Sequence, residues 1–123
     1  MLKLLLDEHV SPDVALGLRR RDKNLQVFFL SEWEAGRFLG IADDLLLSEA
    51  AVQILTLVTY DRRTIPPLIK MWAEAGHDHG GIIFVDEQTI PPSDIGGLVH
   101  SLQRLFDEAA KGDWLNRVCF LRR

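Results

Sequence analysis

Acidic side chains recur in this sequence where apolar runs stop. Asp7 and Glu8 follow Leu2–Leu6, Asp61 follows the run Ile54–Thr59 after Tyr60, and Asp86 and Glu87 follow Ile82–Val85. Asp43 and Asp44 stand shortly after Gly40, at the start of a helical pattern. In an open parallel sheet, ligands bind outside the carboxyl ends of the strands. Acids from distant parts of the chain are therefore expected at one edge. Carboxylates brought together repel one another unless a proton or a divalent cation compensates. Donors that are all oxygen suit Mg2+ or Mn2+. Such ions activate water and stabilise the leaving oxygen of a phosphodiester. The same acids also fit helix caps and turns, and Asp43 and Asp44 fit as first-turn acids favoured by the helix dipole.

Other chemistry-bearing residues are less suggestive. His77-Asp78-His79 has the look of a zinc motif but lies in a glycine-flanked loop with no third ligand nearby, and zinc needs three or four. It reads as a polar loop before a strand. His9 sits beside the first acids, either near the pocket or simply in the turn, and His100 falls near the apolar face of the last helix. Cys119 lies in a strand-like run without a base and reads as a small buried hydrophobe. Trp33, Trp72 and Trp114 are too scattered for a stacking platform and suit core or interface packing. Gly36-x-x-x-Gly40 lacks the Lys-Ser/Thr of a phosphate loop.

Positioning these residues takes strands and helices in alternation. Leu2–Leu6 reads as a strand buried on both faces. Ser11 and Pro12 look like an N-cap and first helical residue, with Val14, Ala15 and Leu18 on one face. Leu25–Leu30 is the second strand. The segment Ser31–Gly40 reads as a loop with at most one helical turn, and a helix runs from about Ala42 to Val52. Ile54–Thr59 is the third strand, and Pro66 or Pro67 opens a helix that Gly76 stops. Ile82–Val85 is the fourth strand. Ser93 caps a helix whose Ile95, Leu98, Val99, Leu102, Leu105 and Phe106 follow the helical period, and Gly112 ends it. Val118–Leu121 is the last strand. The expected fold is α/β, a three-layer α/β/α sandwich on a mostly parallel sheet of about five strands.

With 123 residues, the chain has the length of a single domain, residues 1–123. The apolar start is too short for a secretory leader and ends in acids, and no run reaches membrane-spanning length. One cysteine excludes an internal disulfide framework and favours a cytoplasmic setting. A net charge of −4 argues against holding duplex DNA by charge alone. The basic residues cluster as Arg19-Arg20-Arg21 with Lys23, Arg62-Arg63 and Arg122-Arg123, either as solvated ends or as binding patches.

Three segments taken together resemble a known family. They are Leu5-Leu6-Asp7-Glu8-His9-Val10-Ser11-Pro12, Gly40-Ile41-Ala42-Asp43-Asp44 and Leu57-Val58-Thr59-Tyr60-Asp61-Arg62-Arg63. In order and spacing they resemble the PIN-like family of small bacterial proteins, grouped with PIN-domain ribonucleases and VapC-type toxins of toxin–antitoxin pairs. Gly80-Gly81-Ile82-Ile83-Phe84 also fits, and the likeness covers roughly residues 1–85. The resemblance implies a metal-dependent ribonuclease with Mg2+ or Mn2+ held by Asp7, Asp61 and either Asp43 or Asp44. It implies RNA as substrate, an antitoxin-like protein partner and pairing as a homodimer. On that view Glu8 orients a metal-bound water, and Arg62 and Arg63 contact the RNA backbone. Family members often carry Asp-x-Asp-Phe where this chain has Asp61-Arg62-Arg63-Thr64. Arg63 in place of the second acid either competes with the cation or grips a phosphate. The alternative implication is a catalytically weak PIN-like module that acts by binding protein.

Overall fold

The computed structural model describes residues 2–123; Met1 lies outside them. The elements run β1 (Lys3–Leu6), α1 (Pro12–Arg21), β2 (Gln26–Phe29), a tight turn at Trp33–Gly36, α2 (Asp43–Val52), β3 (Thr56–Thr59), α3 (Ile65–Glu74), β4 (Ile82–Phe84), α4 (Ile95–Ala109) and β5 (Val118–Phe120). The sheet is entirely parallel, in the order β2-β1-β3-β4-β5. Parallel strands need crossovers, and the helices supply them.

Side-chain alternation along each strand divides the core into two layers. Leu4 and Leu6 of β1 join Val14 and Leu18 of α1 and Leu98 and Leu102 of α4 on one face. Leu5 joins Leu46 and Leu47 of α2 and Ile65 of α3 on the other. The fold is thus the expected α/β/α sandwich. Its order of connections reverses between β1 and β3, the first crossover running outward to β2 and the second back past β1. That reversal opens a crevice at the carboxyl ends of β1 and β3.

Several boundaries differ from the sequence expectation, each for a local reason. Asp94, not Ser93, caps α4, its carboxylate accepting from Gly97 N at 2.9 Å. α3 begins at Ile65, so Pro66 and Pro67 both sit in its first turn, where a missing N–H costs nothing. β3 begins at Thr56 because Ile54 and Leu55 close α2 instead. Ile54 N donates to Ala51 O at 3.1 Å and Leu55 N to Ala50 O at 2.8 Å, the pattern of a Schellman ending. Ile54 takes the left-handed position with φ 57°, where glycine is the usual occupant.

Candidate functional site

Asp7 and Asp61 reach the crevice because their strands are neighbours. Leu6 pairs in register with Val58, so Asp7 comes level with Thr59, the last residue of β3. Asp7 is 6% exposed. Its Oδ1 accepts from Glu8 N at 2.8 Å and its Oδ2 from the Thr59 hydroxyl at 2.7 Å. The same hydroxyl oxygen accepts from Asp61 N at 2.9 Å. Thr59 therefore ties the two strand-end aspartates together from a fully buried position. The sequence reading passed over it; the only available signal was a threonine ending an apolar run two residues before an aspartate.

Asp61 turns the chain into α3, its Oδ1 accepting from Arg63 N at 2.9 Å and Thr64 N at 2.8 Å. Burial pushes its pKa up, but these N–H donors, the Thr64 hydroxyl and Asp43 outweigh it, and the net shift is downward. Asp43, first residue of α2, reaches the same place from the other side of the chain. Its carboxyl is within hydrogen-bond reach of Asp61. Burial raises its pKa first, and the charges of Asp7 and Asp61, the bond to Asp61 and the charge of Glu8 raise it further. The two neighbouring carboxyls are thus pushed in opposite directions, Asp43 upward and Asp61 downward.

The remaining expected residues scatter around this trio. Asp44 is exposed, and its Oδ1 accepts from Leu45 N at 2.9 Å within its own helix. The trio therefore includes Asp43 and not Asp44. Glu8 is exposed, with His9 Nε2 4.0 Å from its Oε1. Arg62 approaches Asp86 at 3.6 Å and lies with its guanidinium carbon 5.4 Å from the centre of the Phe120 ring. Arg63 is exposed. His9, Asp61, Arg62, Arg63, Asp86 and Glu87 line an open cleft of about 630 Å³ beside the trio.

His79, expected in a polar loop, is buried at 6% exposure. Its backbone N donates to Asn116 Oδ1 and its Nδ1 accepts from Gly81 N, both at 3.0 Å. Burial holds its pKa below the usual histidine range against the pull of Asp78, so it is a neutral structural imidazole. Cys119 is half-buried rather than fully buried, because β5 is an edge strand. His100 is exposed, Trp33 and Trp114 belong to the core, and Trp72 packs partly buried against it.

Among the described residues, no three carboxylates, imidazoles or thiols stand close enough to enclose a metal ion as they are. The donor chemistry still fits a hard divalent cation. The donors are all oxygen, Asp7 is oriented by two hydrogen bonds, and burial together with the nearby charges of Asp7 and Asp61 raises the pKa of Asp43, a crowding of negative charge that a cation relieves. Among the described residues, no helix is long and apolar enough to cross a membrane. No protein-family model matches the chain, and searches of curated proteins and of solved structures find no match.

Proposed function

We propose that this chain is a PIN-like ribonuclease that hydrolyses RNA phosphodiesters with Mg2+ or Mn2+, acting in the cytoplasm as the toxin of a toxin–antitoxin pair. The observation that carries this reading is the meeting of Asp7, Asp43 and Asp61 at the crevice where the sheet reverses its order. Asp7, Asp43 and Asp61 would hold the ion. When bound, it supplies a water of lowered pKa and positive charge for the reacting phosphate. Thr59 keeps the Asp7 carboxylate and the Asp61 backbone in fixed relation, while the Arg63 and Thr64 N–H groups orient the Asp61 carboxylate. Glu8, which is exposed, would orient a metal-bound water. Arg63 is free to meet a backbone phosphate in a bidentate grip, while Arg62 is partly held by Asp86.

A second reading, a PIN-like module that binds protein without cleaving, draws support from the absence of a ready three-ligand set among the described residues. It also draws support from Arg63 beside Asp61. One assay separates the two. Asp7→Asn keeps the shape of the side chain, and metal-dependent RNA cleavage is expected to disappear while the thermal melt stays cooperative. Equal cleavage by the variant and the parent removes the nuclease reading.

A further inference from the structure

A second cleft, of about 660 Å³, opens between α4 and β5. Arg104, Arg117, Arg122 and Arg123 line it, with Glu108 as the one acidic side chain among the lining residues. Arg123 is neutralised by Asp94 at 2.8 Å. Among the described residues, Arg104, Arg117 and Arg122 make no ion pair; Arg104 donates to the Arg122 carbonyl at 2.6 Å and Arg117 lies 4.4 Å from the centre of the Trp114 ring. Three guanidinium charges without carboxylate partners thus share one cleft in a chain of net charge −4. The cleft also includes Ser101, which is 1% exposed and whose hydroxyl has no hydrogen-bond partner.

The cleft is also linked to the acid site. Phe120 lines it, is 56% exposed, and carries the guanidinium of Arg62 over its ring. Arg62 in turn lines the cleft that contains Asp61. Arginines bordering an exposed aromatic ring are the elements that hold a single strand, through phosphate contacts and base stacking.

We propose that the α4–β5 cleft binds the phosphodiester backbone of a single-stranded polynucleotide, with Phe120 and Arg62 carrying the strand toward the acid trio. The direction of the strand rests on the function proposed above; the phosphate-binding cleft does not. The test is fluorescence anisotropy with a labelled oligouridylate in EDTA, where no metal-dependent cleavage occurs. Arg117→Ala with Arg122→Ala removes two exposed charges. Losing two phosphate contacts is expected to lower the slope of log affinity against log salt by about 1.4, or about 25-fold in affinity at 0.1 M salt. Arg117→Lys with Arg122→Lys keeps both charges and is expected to stay within about threefold of the parent. Unchanged binding by the alanine pair overturns the proposal, as does a loss in the lysine pair as large as in the alanine pair. Displacement of the RNA by oligoglutamate at equal charge overturns it in favour of an acidic polypeptide. If RNA binding depends on the arginines while no variant or parent cleaves RNA, the cleft stands and the nuclease reading falls.

Discussion

Thr59→Val tests the tie between the two strand-end aspartates. Valine matches threonine in shape but cannot make either hydrogen bond of the hydroxyl. The bond to the buried Asp7 carboxylate, 2.7 Å long, is charge-assisted, a class worth about 1.5–3 kcal/mol. The bond from Asp61 N, at 2.9 Å, is neutral at the hydroxyl end and worth about 0.5–1.5 kcal/mol. Both lie where water cannot easily replace them, since Thr59 is fully buried. The expected loss is about 2–4 kcal/mol in urea denaturation at neutral pH. Thr59→Ser keeps the hydroxyl and gives up one methyl group, for about 1 kcal/mol. Mn2+ affinity measured on the same proteins is expected to fall by about 10–100-fold in Thr59→Val, as for the loss of a group that orients a ligand. If Thr59→Val is no less stable than Thr59→Ser, the hydroxyl bridge does not hold the site together.

Three further outcomes concern the scaffold. His79 is held neutral by burial, with Nδ1 accepting from Gly81 N. Its folded pKa lies below the unfolded value, so its contribution is present above about pH 6.5 and is lost as pH falls through the lowered folded value. Denaturation between neutral and mildly acidic pH should show a steeper loss for the parent than for His79→Asn, which keeps an acceptor but does not titrate. Ile54→Gly relieves a β-branched residue at φ 57° on a largely exposed site. It is expected to stabilise the fold by about 0.5–1 kcal/mol after glycine's entropy cost, and a melting temperature no higher than the parent's refutes this. Gly80→Ala would place a Cβ 2.5 Å from the Leu55 carbonyl oxygen; a destabilisation of about 1–3 kcal/mol is expected, and a melt unchanged from the parent would contradict the tight approach of these two segments.

The layers were legible because a parallel sheet covered on both faces writes its strands as apolar runs. Leu4-Leu5-Leu6 and Ile82-Ile83-Phe84 therefore stand out without any alternation. Strand order was not legible, since it depends on which neighbours the crossovers skip. Yet that order puts Asp7 beside Asp61. Nor could spacing choose between Asp43 and Asp44. Successive helical residues point about 100° apart, and only the packing of Leu46 and Leu47 on the sheet sets the rotation of α2. Thr59 and His79 escaped for a related reason. Each looks like an ordinary polar residue at the end of an element, and its role comes from partners distant in sequence, Asp7 and Asn116. The end of α2 at Val52 was legible, but β3 starts at Thr56 rather than Ile54 because Ile54 occupies a left-handed position where sequence rules look for glycine.

Calorimetric titration of Mn2+ into the metal-free protein bears most directly on the claim that the three aspartates make a cation site. The parent should show a saturable binding event that Asp61→Asn abolishes, while the variant keeps its fold because asparagine can still accept from the Arg63 and Thr64 N–H groups. Equal Mn2+ binding by parent and variant, or none by the parent, would contradict the account.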